Sequence, residues 1–452
     1  MTPEVTHPGS RQKVLFLSFT YPSFGGSGSQ IRAASLVRML AMHADIYLLI
    51  AGYAEKVGGP PDPVMEGLCR KIAHLRVQPP PVPESVAASP RAAACRKIAN
   101  SRILPNTEAG GPRPLLKKSA ENVVLPTIDC ASGQVAERVV EFYQESNLDC
   151  LFVFKFDALH FVYNRLDFFP VRHLDLDELP SRAQDQIARL KRNFERETLA
   201  PSKKSGRVTM QHVMEKAFIP RFHRVFVASA VEAEEVRRQT GFPRPLVLPN
   251  VYPARLTRPE KRTTPQSEIL FVGSFFYYPN VDAVLYFCRE ILPLIQEKKR
   301  DTVLFRIIGI GSTKDLECVR KQPGVDLAGY QENLTPFYAQ AAVVVVPLRA
   351  GAGTRLKILE AFVHGRPVVS TSIGAEGLEV TDRKNILLAN APDAFAQACM
   401  EVIDHPELAE KICEDATRLH RDHYSQEALA CCYAKIIADE LTDSSPTLAE
   451  IQ

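Results

Sequence analysis

The sequence predicts an α/β protein of two tandem, doubly wound domains, each built on a parallel sheet. Three observations lead there. At 452 residues the chain exceeds one ordinary domain. Short, β-rich apolar runs alternate with amphipathic stretches, the pattern of strands covered by helices. These runs fall into two series, separated by "PLVLPNVYPARLTRPEKRTTPQSE" (245–268), rich in Pro, Thr and charge.

The first series opens with "KVLFLS" (13–18), whose continuous apolar character suits a strand buried on both faces. "YPSFGGSGSQIRAASLVRML" (21–40) follows. Gly25, Gly26 and Gly28 make a turn there, and Ile31, Ala34, Leu36, Val37 and Leu40 give the next helix an apolar face. Glycines before a helix let backbone N–H groups approach an anion, which the helix dipole favours. Further strands are expected at 45–51, 149–154, 171–176 and 224–228. The Pro-rich segment 78–119 interrupts this rhythm. Between 91 and 118 it holds Arg91, Arg96, Lys97, Arg102, Arg113, Lys117 and Lys118 against one acid, Glu108. It reads either as a solvated loop or as a surface for an anionic lipid or acceptor, where each cation gains about 1 kcal/mol.

The second series places strands at 268–272, 303–309, 342–347, 367–371 and 385–388. Domain limits follow: 1–253, a linker at 254–263, 264–422, and a helical segment at 423–452, whose "SQEALACCYAKIIADEL" (425–441) is amphipathic.

Several function classes are disfavoured. A net charge of +3 gives no electrostatic footprint for nucleic acid. The ten cysteines contain no C-x-x-C and suggest reduced thiols, not a zinc site or a disulfide framework. No secretory leader is expected in "MTPEVTHPGSRQKVLFLSF", and no apolar run approaches the ~20 residues of a membrane span. The expectation is a cytoplasmic protein able to sit at the inner face of a membrane. Gly26-x-Gly28-x-x-Ile31 lacks the third glycine of a dinucleotide fingerprint, and Ile50-Ala51-Gly52 offers no acid for a ribose. The Walker, H-E-x-x-H, EF-hand and G-x-S-x-G patterns are absent from the sequence.

What remains is "GAGTRLKILEAFVHGRPVVS" (351–370). Thr354 is the expected N-cap of a helix from Leu356 to about His364, with Leu356, Leu359 and Val363 on its apolar face. Arg355 and Lys357 then sit at the helix start, where the dipole disfavours cations. A bound polyanion would offset that cost. Glu360, three residues after Lys357, either pairs with it or accepts hydrogen bonds from ligand hydroxyls.

That block closely resembles the C-terminal half of retaining GT-B-fold glycosyltransferases of family four, often called group one. So do "FVGSFFYYPNVDAVLYF" (271–287), "LAGYQENLTPFYAQAAVVVVPL" (327–348) and "LVLPN" (246–250). "SFTYPSFGGSGSQIRAASLVRML", "HLDLDELPSR" (173–182) and "RVFVASAVEAEEV" (224–236) resemble parts of the N-terminal half, more patchily. The resemblance implies two Rossmann-like domains facing a central cleft that holds a nucleoside-diphosphate sugar. It places Glu360 at the nucleotide ribose and Gly351, Gly353, Thr354, Arg355 and Lys357 beside the diphosphate. Gly273 falls in the donor-side turn, and Gly25 and Gly26 close on diphosphate or acceptor. It implies no catalytic metal or other cofactor, and a glycan or lipid-linked acceptor.

Two positions depart from the family. Its acid eight residues before Glu360, which contacts the transferred sugar, is replaced by Ala352. Its Arg and Lys after the first strand of the second domain are missing from "VGSFFYYPNVDA", which assigns the phosphate charge to Arg355 and Lys357. On the acceptor side, Lys155, Asp157 and His160 follow one strand and Asp175, Asp177 and Glu178 another, at the ends where α/β sheets place ligands. Asp177 and His160 are the catalytic candidates. The expected activity is transfer of a hexose-like sugar in polysaccharide or glycoconjugate biosynthesis. The alternatives are a catalytically silent glycan- or partner-binding scaffold and a GT-B epimerase or phosphorylase.

Overall fold

The computed structural model describes residues 11–53, 62–78, 121–129, 134–198, 209–253, 267–299, 302–311 and 314–442. It contains two parallel sheets, each flanked by helices. The chain divides into two compact units, 1–176 with 218–226, and 177–217 with 227–452. Among the described residues no helix is long and apolar enough to cross a membrane. No group of three or more His, Cys, Asp or Glu among them is placed to hold a metal ion.

The first sheet contains β1 (Lys13–Ser18), β2 (Asp45–Tyr53), β3 (Cys69–Gln78), β4 (Glu121–Asp129), β5 (Cys150–Phe154), β6 (Arg172–Asp177), β7 (Arg224–Val227) and β8 (Leu246–Val247). Their order is β4-β3-β2-β1-β5-β6-β7-β8, and the pairs from β4 through to β6 are parallel. Aromatic residues fill its core because neighbouring strands bring them level. Phe16 of β1 pairs in register with Phe152 of β5, and their rings stack at 5.2 Å. Phe226 of β7 also stacks on Phe152, at 5.8 Å.

The helix Gly28–Ala41 follows the glycine turn as expected, but Arg32 points inward from it. Its Nε donates to Asp175 Oδ2 at 2.8 Å and its Nη2 to Oδ1 at 2.6 Å. The two side chains are 2% and 0% exposed. Asp175, one of the acids at the acceptor-side strand end, is thus half of a buried ion pair.

The second sheet contains β9 (Ser267–Val272), β10 (Val303–Ile308), β11 (Val325–Gly329), β12 (Ala341–Val346), β13 (Val368–Ser370) and β14 (Leu387–Leu388). Its order is β11-β10-β9-β12-β13-β14, parallel throughout. β12 is buried at all six positions, which is why "AAVVVV" carries no polar face.

Four strands were not expected from the sequence: β3, β4, β8 and β11. β3 intersperses Arg70, Lys71, His74 and Arg76 among apolar residues, so it lacks a continuous apolar run. β11 is an edge strand, half-buried along its length, and β8 has two residues. The segment 78–119 is the connection from β3 to β4, a parallel pair that requires a crossover rather than a tight turn. Apart from Gln78 it lies outside the described residues, as does the 254–263 linker. The helix Gln426–Thr442 packs with its Cys432 thiol donating to the Val247 carbonyl of β8 at 3.5 Å.

Candidate functional site

The second unit gathers eight of the sequence-predicted residues around two backbone turns. The first turn leaves β9. Gly273 N–H donates to the Ile308 carbonyl at 3.0 Å, and Phe275 N–H to that of Ile310 at 2.8 Å. A Cβ on Gly273 would lie 2.9 Å from Asn280 Cγ and 3.0 Å from Lys357 Nζ, so glycine is what lets those groups close over the turn. Asn280, 6% exposed, sits on the helix Tyr278–Tyr286. Its Nδ2 donates to the Ser274 carbonyl and its Oδ1 accepts from Lys357 Nζ, both at 2.8 Å.

The second turn leads into the helix Leu356–Val363. Gly351 and Gly353 adopt left-handed φ values of 126° and 73°. Their N–H groups donate to Gln186 Oε1 at 2.7 Å and Glu232 Oε1 at 3.4 Å. Glu232, 1% exposed, also accepts from Leu179 N–H and Arg182. Arg182 in turn reaches Glu376 at 2.8 Å. The turn thus rests on a buried polar frame. Gly353→Ala should cost about 1–2 kcal/mol. It combines positive φ with a Cβ only 2.8 Å from Glu178 Oε2. Thermal unfolding of that variant checks the expectation.

The helix start differs from expectation in two ways. Arg355, not Thr354, is the N-cap, and no side chain caps the helix. Thr354 Oγ1 is instead taken by Asn250 Nδ2 at 2.7 Å, and the same Nδ2 donates to Asp177 Oδ1 at 2.7 Å. Arg355 does not project outward. It is 7% exposed, and its Nη1 donates back to the carbonyls of Ala352 and Gly353. Its Nε and Nη2 are buried and have no hydrogen-bond partner among the described residues. Buried, unpaired donors of this kind are costly to leave unmade.

Lys357 is half-buried, with Nζ 4.3 Å from the centroid of the Phe271 ring. Burial, reinforced by the Arg355 charge, pulls its pKa down to about 7, although Glu360 acts the other way. Glu360 does not close on Lys357. Its Oε1 accepts from the Tyr252 hydroxyl at 2.7 Å. Burial raises the Glu360 pKa, against the lowering effects of the Tyr252 and Tyr338 hydroxyls and of the Lys357 charge. Ala352 is 4% exposed, so the position of the family acid is a packed methyl group.

Asp177 completes this group, with φ 62° at the end of β6. Gly25, Gly26 and His160 belong to the first unit. There Ser27 N–H donates to Gln30 Oε1 at 2.9 Å, and a Cβ on Gly26 would meet that oxygen at 2.5 Å. Gly25 and Gly26 do not need left-handed φ. His160 is the exposed C-cap of the short helix Lys155–Leu159. Sequence reasoning missed Asn250, Tyr252, Asn280, Arg182 and Glu232 as members of the site. The signal for Asn250 and Tyr252 was polar groups within the otherwise apolar "LVLPNVY", just ahead of the linker.

Residues 266–405 match the family model described as glycosyl transferases group 1. Over the whole chain, sucrose-phosphate synthase from Thermosynechococcus elongatus superposes with a TM-score of 0.62 at 15% identity, covering 96% of this chain and 100% of that one. The fold is that of GT-B glycosyltransferases. TarM from S. aureus, solved with fondaparinux, α-GlcNAc-glycerol and UDP, gives a TM-score of 0.52 at 15% identity. That match covers 66% of this chain and 57% of TarM. An uncharacterized 44.6 kDa protein in the cps region of Klebsiella pneumoniae is 27% identical over 137 residues, 28% of this chain and 35% of that protein. The chain thus spans little more than half of TarM and about a third of this curated relative. The stretch that matches the family model, 266–405, includes both turns.

Proposed function

We propose that the protein is a retaining glycosyltransferase of family four. In this reading it moves a hexose-like sugar from a nucleoside-diphosphate sugar to a glycan or lipid-linked acceptor during polysaccharide or glycoconjugate assembly. The observation that carries the reading is Arg355, whose Nε and Nη2 lie buried and, among the described residues, unpartnered at a helix start, with Lys357 one turn-edge further on. A diphosphate would supply both the missing acceptors and the negative charge that a helix N-terminus favours. Cleavage of the anomeric C–O bond leaves the electron pair on the β-phosphate oxygen. Preorganised donors stabilise that charge without reorganising. Glu360 offers its carboxylate to the ribose, and Gly25 and Gly26 belong to the diphosphate or acceptor side.

Asp177, bound by Asn250 and through it to Thr354, supports the donor turn in this reading. The exposed His160 is the acceptor-side group. The basic stretch 91–118 is the proposed contact for an anionic acceptor or membrane surface.

Calorimetric titration of UDP, GDP, ADP and their sugar conjugates, without added metal, tests the donor site. UDP is the first probe because the TarM structure contains it. Selective binding of one diphosphate, weakened about tenfold in Glu360→Ala, is the expected result; one or two hydrogen bonds to a charged group are worth about that much. A folded protein that binds none of them would refute the transferase reading. Ala352 favours one second reading, a binding scaffold without transfer, and release of sugar from bound donor separates the two.

A further inference from the structure

Tyr252 is held at three points. Its hydroxyl donates to Glu360 Oε1 at 2.7 Å, and its backbone N–H donates to the Tyr424 carbonyl at 3.1 Å. Its carbonyl lies 2.9 Å from His420 Nε2. A carbonyl only accepts, so Nε2 carries the proton and Nδ1 is the bare nitrogen. His420 is 2% exposed, and that Nδ1 is buried with no partner among the described residues. His420 and Tyr424 close the helix Pro406–His423. Two residues before Tyr252, Asn250 Nδ2 holds Thr354 Oγ1. The stretch Asn250–Tyr252 therefore grips both the entrance and the body of the 351–360 block. Its own backbone is fixed from outside that block.

We infer that Tyr252 is a positioning residue for nucleotide recognition. Occupying Oε1, and with the buried Tyr338 hydroxyl also facing the carboxylate, it sets the rotamer in which Glu360 turns its remaining lone pairs to a ribose hydroxyl, while the helix end at His420 and Tyr424 keeps Tyr252 itself in place. A carboxylate held in its bound orientation loses little rotamer freedom on binding. This rests on the reading that Glu360 meets the ribose. It adds that ribose discrimination is set from the far side of Glu360, by a side chain that touches no ligand.

The test compares binding of UDP, 2′-deoxy-UDP and 3′-deoxy-UDP to the full-length parent, Tyr252→Phe, Glu360→Ala and the double variant. Tyr252→Phe keeps the ring and loses only the hydroxyl. Its UDP affinity should fall about fivefold, the scale of one hydrogen bond. Its preference for UDP over the deoxy analogues should shrink, while its melting temperature stays close to the parent's. The double variant should bind no more weakly than Glu360→Ala alone. Unchanged ribose discrimination in Tyr252→Phe, or losses that multiply in the double variant, would overturn the inference. Parent-like binding by Glu360→Ala would instead refute the ribose contact, and the inference with it. A merely structural tyrosine would weaken all three nucleotides alike.

Discussion

Lys357→Met should bind UDP about a hundredfold more weakly than the parent at pH 6, and only about tenfold more weakly at pH 8. The difference follows from where Lys357 titrates. Burial brings its pKa from 10.5 to about 7. At pH 6 the ammonium is present before ligand arrives, whereas at pH 8 it must first take up a proton. A bound diphosphate favours the charged form, so binding should take up close to one proton as the pH passes through about 8. Calorimetry in buffers of different ionisation enthalpy measures that uptake directly, and it should vanish in Lys357→Met. The nucleotide's own titration is common to both proteins and cancels in their ratio. The same shift has a consequence for stability. Between pH 7 and 10.5 the unfolded chain holds the proton and the folded chain does not, so this group's contribution to stability rises with pH across that window. Equal UDP affinity in parent and variant at pH 6 would remove Lys357 from the donor site.

Asp175→Ala should destabilise the first unit by about 3–5 kcal/mol, because it removes the carboxylate that neutralises the buried Arg32 charge. Both members of that pair are essentially without solvent, at 2% and 0% exposure. Oδ2 and Oδ1 of Asp175 accept from Arg32 Nε and Nη2, so the substitution removes both acceptors at once. Replacing both residues together, as Arg32→Met with Asp175→Leu, should recover most of the loss, since desolvation is then no longer required. Urea unfolding followed by far-ultraviolet circular dichroism is the suitable measurement, because the chain contains no tryptophan. With two compact units, the transition is expected in more than one step. The single variant should move one step and leave the other. A single-variant loss below about 1 kcal/mol would show that water reaches the pair.

The fold was most legible where strands are buried on both faces. "KVLFLS" and "AVVVVP" stand out because the apolar runs within them, residues 14–17 of β1 and 342–346 of β12, are buried without a break. β3 and β11 carry no such run, for the opposite reason. One intersperses four basic residues among apolar ones, and the other lies half-exposed at an edge. In the candidate site, the sequence showed that Arg355, Lys357 and Glu360 cluster at a helix start. It did not show which way they point. Two left-handed glycines turn the backbone so that Arg355 meets the carbonyls of Ala352 and Gly353. Asp175 and Asp177 looked alike in "HLDLD", yet one lies in a buried ion pair and the other is bound by Asn250.

The sequence by itself determined the alternation of strand and helix, the two sheets, and the short block that brings cations and a carboxylate to one helix start. These are local properties, set by apolar periodicity and turn chemistry over a few residues. Only the tertiary structure decided their partners. Lys357 receives Asn280 from 77 positions away, and Glu360 receives Tyr252 from 108. A buried polar group takes whichever partner the fold brings within hydrogen-bonding distance, and that distance depends on the packing of whole elements, which no local pattern records.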